Sequence, residues 1–295
     1  MTAADALEPG ATLGHYRLVA LLGRGAMGGV WDVEAPDGRR YALKSPASGM
    51  GDDVRVTRRF AREANALRLV EHPNLVAAID VFVVAGSLYL VMERVTGPTL
   101  AAALEHGAFA PRRALVLTRQ LLLGLGHAHA QGLVHRDLKP DNVMLVDMGG
   151  WERAKIVDWG LVKLIGDAEA AMGGGKLTRT GTVSGTPQYM SPEQALGRVV
   201  DGRADLYAVG VMLFEMLVGR PPFIADDPVG LMRMHVKVPA PRLDEVLPPG
   251  TPWCTRELVD LVDGALMKTL EYRFRSAEHM IAALDAGFRS IDHLD

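Results

Sequence analysis

The residues best equipped for chemistry lie in one short stretch, His135 to Asn142, reading HRDLKPDN. It sets a carboxylate (Asp137), an ammonium (Lys139) and an amide oxygen (Asn142) close together, with Pro140 stiffening the loop between them. That grouping suits phosphoryl transfer, which needs an acceptor hydroxyl aimed, a metal held and charge on the phosphate oxygens offset. In this reading Asp137 accepts the hydroxyl's hydrogen bond, Lys139 faces the phosphate and Asn142 offers an oxygen to Mg²⁺. The same residue types also make ordinary solvated turns, so the meaning of the stretch depends on partners elsewhere in the chain.

Three partners stand in the sequence. Upstream, Tyr16 to Val33 reads as two strands around a glycine-rich turn, Gly23-x-Gly25-x-x-Gly28-x-Val30. Without Cβ atoms there, backbone can approach a triphosphate closely. A dinucleotide-binding fingerprint shares the GxGxxG spacing but should run into a helix, whereas VWDV continues as strand, and no GxxxxGK[ST] string exists. A third strand, Tyr41 to Lys44, ends in a lysine, and a helix over roughly 57–70 offers it a carboxylate. On that helix Glu63 lies beside the apolar stripe of Phe60, Ala64 and Leu67, so an inward Lys44–Glu63 pair would aim the ammonium at phosphates. Downstream, Asp158 in Asp158-Trp159-Gly160 supplies a second metal ligand.

The elements that must position these groups follow from periodicity. Two further strands are predicted around Val76 to Val83 and Leu88 to Met92, then a connector from Glu93 to Gly97. Beyond it the pattern becomes helical. Leu115 to Gln131 leads into the HRDLKPDN loop, and a strand pair, Val143 to Val146 and Ala154 to Val157, follows it. Helices are predicted over Asp205 to Val218, Pro228 to His235, Thr255 to Leu270 and Ala277 to Phe288. From Leu161 to Ser184 periodicity is lost, in a stretch holding Gly173 to Gly175 and the hydroxyls of Thr178, Thr180, Thr182 and Ser184. A long irregular stretch inside a compact domain points to function.

Composition sets the bounds. With 295 residues, 48% of them hydrophobic, the chain can bury a large core, and a net charge of -3 gives no sign of nucleic-acid binding. The single cysteine, Cys254, cannot form an intrachain disulfide, which fits a reducing compartment. The most apolar stretches, Ala114 to Leu125 and Ala208 to Val218, are too short to span a bilayer and read as buried helices. The N-terminus has neither the basic start nor the apolar run of a signal peptide. On these grounds the chain is expected to be soluble, cytoplasmic and without a sensor domain.

Taken in order, GxGxxGxV, A-x-K, a helical Glu, HRDLKPDN, D-x-G and SPE make the chain resemble a eukaryotic-type Ser/Thr protein kinase catalytic domain, most similar to bacterial members. The resemblance covers 16–288. It implies an α+β, bilobal fold with a small β-rich N-lobe (16–92), a hinge (93–97) and a larger, mainly helical C-lobe (98–288), with short tails at 1–15 and 289–295. ATP would lie between the lobes. The expected cofactors are ATP and Mg²⁺, with Mn²⁺ an alternative occupant. Gly23, Gly25 and Gly28 would cover the phosphates, and Lys44, held by Glu63, would contact them. Val30, Ala42 and Met144 match the adenine sandwich, Met92 the gatekeeper, and the backbone of Glu93 and Val95 the reader of the adenine edge. Asn142 and Asp158 would hold the metal, with Thr186 near Lys139. Glu193 would pair with Arg273, and Asp205 would brace the catalytic loop from beneath. Trp159 stands where the family usually has Phe, and Arg94 where a connector aromatic is common.

The implied function is transfer of the γ-phosphoryl group of ATP to Ser and Thr hydroxyls of protein substrates. Two alternatives belong to other classes: a nucleotide-binding scaffold without catalysis, suggested by Trp159, and a small-molecule phosphotransferase, which would lack the segment Gly185 to Glu193. Arg136 beside Asp137 and Lys163 beyond Asp158 place two cations where a phosphate on Thr178 or Thr180 would neutralise them, so autophosphorylation of those threonines is expected to activate the enzyme. The sequence fixes neither a monomer nor a homodimer.

Overall fold

The structure, a computed structural model, describes residues 7–25, 28–46, 70–158 and 187–292. Glu63 and the helix predicted to carry it, Trp159, Lys163, Thr178, Thr180 and Thr186 lie outside the described residues. The described chain forms two compact units, one through Thr96 and one from Gly97 onward.

The first unit is a six-stranded sheet, in the order β1-β2-β3-β4-β6-β5, every neighbour antiparallel. Its strands are β1 (Thr12–Leu13), β2 (Tyr16–Gly25), β3 (Gly28–Glu34), β4 (Arg40–Pro46), β5 (Ala78–Val84) and β6 (Ser87–Glu93). Side chains on a strand alternate between faces. Tyr16, Leu18, Trp31, Val33, Leu43, Tyr89 and Val91 form a core on one face. Tyr16 and Tyr89 both stack on Phe82 there. Residues of the opposite parity on β3, β4 and β6 fall on the other face. These include Val30, Ala42, Lys44 and Met92, which the registers Val30↔Lys44 and Ala42↔Met92 set side by side.

The second unit is helical apart from the hairpin of β7 (Val143–Asp147) and β8 (Glu152–Ile156). Its helices are α1 (Leu100–Leu104), α2 (Pro111–Ala130), α3 (Pro192–Ala195), α4 (Arg203–Val218), α5 (Pro228–Lys237), α6 (Leu243–Val246), α7 (Arg256–Ala265) and α8 (Ala277–Ile291). The central α4 is apolar on nearly every side and buried accordingly. A Cβ on its Gly210 would meet the Ala265 side chain at 2.6 Å, so only glycine lets α4 and α7 approach this closely. On α2 the polar pair that interrupts the apolar run has partners. Gln120 bonds the carbonyl of Glu152 and the N–H of Ala154 on β8, and Arg119 pairs with Asp285 on α8. Among the described residues no helix is long and apolar enough to cross a membrane.

One predicted element is corrected. The helix expected over Thr255 to Leu270 ends at Ala265. Beyond it the buried Arg273 takes the carbonyls of Met267 and Lys268, at 2.9 and 3.4 Å from Nε and a terminal nitrogen. Groups that would have stayed in the helical ladder are drawn to a side chain instead. Helices α1, α3 and α6 were not anticipated, being about a single turn each.

Beside this turn, α4, α5 and the segment after α7 enclose a polar cluster. Lys268 Nζ donates to Tyr207 Oη at 3.0 Å and lies 4.3 Å from the centre of the Phe223 ring, and Tyr207 Oη is 2.9 Å from His235 Nδ1. With Lys268 donating to it, the Tyr207 hydroxyl in turn donates a hydrogen bond to His235 Nδ1. Burial, reinforced by the Lys268 charge, pushes the His235 pKa down to about 4 from 6.5. Burial likewise lowers Lys268 to about 7, with Arg273 adding to the shift. Between pH 6.5 and 4 the unfolded chain therefore takes up a proton that the native His235 refuses. Stability is expected to fall by about 3 kcal/mol across that window. His235→Gln, which keeps an acceptor for Tyr207, should remove that part of the slope in urea titrations at pH 6.5 and 4.5. An unchanged slope would exclude His235 as its source. The Lys268 contribution falls in a separate window, building as pH drops from 10.5 to about 7.

Candidate active site

In the first unit, β2 and β3 remain paired to their tips through Gly23↔Val30, Arg24↔Gly29 and Gly25↔Gly28. This places the three loop glycines at one end of the hairpin. The root of the loop is clamped from β4, where the buried Ser45 hydroxyl accepts from Gly29 N–H at 3.2 Å and donates to Gly29 O at 3.1 Å. Lys44 precedes Ser45, so the strand that carries the lysine also fixes the glycine-rich turn. Ser45 carries no sequence signal; its role comes from a cross-strand contact. The connector begins where Glu93 closes β6, its N–H bonded to Ala77 O at 2.9 Å and its carboxylate reached by Ala77 N–H at 3.4 Å.

In the second unit, the HRDLKPDN loop follows α2. Arg136 adopts φ +65° and Asp158 φ +60°, left-handed values that cost a non-glycine residue about 1–3 kcal/mol unless the surroundings impose them. For Arg136 those surroundings are visible. Asp205, on α4 and only 1% exposed, accepts from the N–H groups of His135 and Arg136, both at 2.9 Å, and from His129 Nε2 at 2.8 Å. Burial favours the neutral acid, yet the His129 hydrogen bond and the neighbouring imidazoles prevail and hold the Asp205 carboxyl below its usual pKa. On the other side, Gln194 of α3 donates to Arg136 O at 2.7 Å. Both faces of this strained residue are thus held, and Gln194 is a contributor that the sequence did not single out.

The same loop closes on itself around Asp137. The Asp137 N–H points to His135 Nδ1 at 3.3 Å, while His135 Nε2 lies 3.2 Å from Val157 O, an arrangement in which Nδ1 accepts and Nε2–H donates. Asn142 donates through Nδ2 to Asp137 O at 2.8 Å, and Asn142 O accepts from Val157 N–H at 2.9 Å. A 3₁₀ turn over Pro140–Asn142 carries this amide, with Lys139 extended just before it. Asp137, Asn142 and Val157 therefore belong to one hydrogen-bonded frame, and Asp158 is the next residue along the chain. The amide orientation leaves Asn142 Oδ1 as an acceptor.

The first strand of that frame is anchored too. Leu145 N–H donates to Pro98 O at 2.9 Å, Thr99 bridges to Met144, and a Cβ on Gly97 would meet Leu145 O at 2.1 Å. With φ +143°, Gly97 is the sole residue type that fits there. Lower down, α3 is locked by a bidentate pair, Arg273 to Glu193 at 2.8 and 3.2 Å, with the arginine side chain fully buried. Ser191 and Gln194 form a reciprocal capping box at the start of the same helix.

Comparison with known proteins agrees with this geometry. Residues 16–283 match the protein kinase domain, and the chain belongs to that family. A probable serine/threonine-protein kinase of Streptomyces coelicolor is 38% identical over 285 residues, covering 95% of this chain and 41% of the relative. The serine/threonine-protein kinase PknA of Mycobacterium tuberculosis is 36% identical over 291 residues, covering 95% of this chain and 64% of PknA. The chain thus spans less than two thirds of the length of these relatives. The crystal structure of the Mycobacterium tuberculosis PknI kinase domain superposes with a TM-score of 0.71 at 26% identity, covering 96% of this chain and all of that one. The α+β kinase fold inferred from the motifs is the fold observed.

Proposed function

We propose that this chain is an ATP-dependent kinase that transfers the γ-phosphoryl group to Ser and Thr hydroxyls of proteins. The observation that carries the reading is the frame in which Asn142 holds the Asp137 carbonyl while Asp205 and Gln194 hold the peptide groups of Arg136. Such a frame fixes a carboxylate for an acceptor hydroxyl. In the first unit, Lys44 and the backbone at Gly23, Gly25 and Gly28 serve the phosphates. Val30, Ala42 and Met92 line the adenine face, with Met144 contributed by β7, and the backbone of Glu93 and Val95 reads the adenine edge.

Asn142 Oδ1 and the Asp158 carboxylate are hard oxygen donors, and among the described residues no group of three or more His, Cys, Asp or Glu side chains forms a closed cage. A donor set this small fits Mg²⁺, which keeps waters and phosphate oxygens in its shell, and Mn²⁺ can take the same ligands. When bound, the ion neutralises phosphate charge. Lys139 then balances the transferred group and Asp137 receives the hydroxyl proton. Activation follows autophosphorylation of Thr178 and Thr180, the phosphates being received by Arg136 and Lys163.

The test is incubation with radiolabelled ATP and Mg²⁺, alone and with a generic basic protein, beside an Asp137→Asn variant. Label on Ser or Thr of the added protein, absent with the variant, supports the reading, and mapping of the labelled chain tests Thr178 and Thr180. ATP binding without any transfer points to a scaffold. Transfer confined to small hydroxylated compounds points to a small-molecule phosphotransferase.

A further inference from the structure

Asp32 has no part in the reading above, yet it is a carboxylate only 4% exposed on the sheet face proposed to meet adenine. The alternation of β3 sends Trp31 and Val33 into the core, so Asp32 shares its face with Val30 and stands directly across from Ala42. A buried charge in such a place needs compensation. Two guanidinium groups supply it. Arg40 engages both carboxylate oxygens, through Nε to Oδ1 at 3.0 Å and through its second nitrogen to Oδ2. Arg94 brings its Nε to 3.1 Å from Oδ1.

The two arginines differ in what they are attached to. Arg40 belongs to β4, already fixed to β3 by the pairing Glu34↔Arg40. Arg94 follows the last residue of β6, outside every ladder, between Glu93 and Val95. Its ion pair is therefore a tether from the connector to the sheet, placed between the two residues whose backbone is proposed to read the adenine edge. We propose that Arg94, acting through Asp32, is a positioning residue for nucleotide recognition, holding the connector backbone in its binding geometry. The assignment rests on the kinase reading above. The physical basis is preorganisation: a backbone held before the ligand arrives loses less freedom on binding.

Arg40 provides the control, because Arg40→Ala strips the same carboxylate of a partner without freeing the connector. The experiment measures kcat and KM for ATP with a generic basic protein, the Kd for a fluorescent ATP analogue, and the melting temperature of each full-chain variant. Arg94→Ala is expected to raise KM and Kd about tenfold with kcat within about twofold of wild type, the split that marks lost uniform binding. Arg94→Lys should recover part of that loss. Arg40→Ala should lower the melting temperature at least as far as Arg94→Ala while keeping KM within about twofold of wild type. An Arg94→Ala enzyme with wild-type KM and Kd would overturn the proposal. So would an Arg40→Ala enzyme with the same rise, since charge compensation alone would then explain the triad. A wild type that binds no ATP would overturn the kinase reading itself, and this assignment with it.

Discussion

An Asp205→Asn variant is expected to lose phosphoryl transfer almost as completely as Asp137→Asn, although Asp205 touches no reacting atom. Three donors converge on its carboxylate: the N–H groups of His135 and Arg136 and the Nε2–H of His129. An amide has one oxygen to offer them, and its NH₂ group must face at least one of the donors. The left-handed turn at Arg136 then keeps only the Gln194 bond of the two that hold it. Misplacement of a reacting group by about 1 Å costs about 10²-fold in rate, so kcat should fall by at least about that factor. Asp137→Asn keeps a hydrogen-bond acceptor for the hydroxyl but removes the carboxylate that takes its proton, a loss of about 10²–10⁴-fold.

Stability separates the two variants. Leaving buried donors without their acceptor costs about 1–3 kcal/mol, and Asp205→Asn should show a loss of that order as a lower urea midpoint. Asp137, only half-buried, should shift the midpoint far less. An Asp205→Asn enzyme with wild-type kcat would show that the loop keeps its shape without the brace. The depressed Asp205 pKa adds a sign. A carboxyl held below 3.8 contributes stability that is fully present above that value and is lost only as pH falls through the lower, folded-state pKa. The brace therefore outlasts the exposed carboxylates as the solution is acidified, and acid destabilisation begins instead at His235.

Legibility in the sequence followed contiguity. HRDLKPDN could be read because its groups are neighbours along the chain, in a loop that Asn142 closes back onto Asp137 O. Val30 and Ala42 were singled out by the family resemblance rather than by alternation, and the strand registers set them on the face of Lys44. What could not be read were contacts between distant segments made by residue types with many ordinary uses. Ser45 looks like any strand serine until the cross-strand register sets it on Gly29. Gln194 looks like a helix-start glutamine, which it is, but the same amide also reaches Arg136 O. Arg94 registered only as a missing aromatic, because its partner Asp32 lies on another strand. The overlong helix after Thr255 failed for the same reason. Periodicity favoured its continuation, and a side chain several residues further on withdrew the carbonyls.

Arg273 is where the second large effect is expected. Its guanidinium gives two hydrogen bonds to Glu193 and others to the carbonyls of Met267, Arg203 and Lys268, while its plane lies 4.9 Å from the centre of the Tyr207 ring. Arg273→Met fills much of the volume but leaves Glu193 charged, buried and unpaired, a loss of about 3–5 kcal/mol. Glu193→Gln keeps an acceptor and should cost less. If the pair acts as a unit, the double variant will be less destabilised than the sum of the single ones, by about 1–3 kcal/mol in a urea-midpoint cycle. Strict additivity would mean that Arg273 acts through the three carbonyls alone. The consequence for activity runs through α3: Glu193 and Gln194 are adjacent on it, and Gln194 holds the Arg136 carbonyl. Loosening the ion pair should therefore lower kcat as well as stability, and Glu193→Gln, with the smaller stability loss, is the variant in which the effect on kcat can be measured on folded protein.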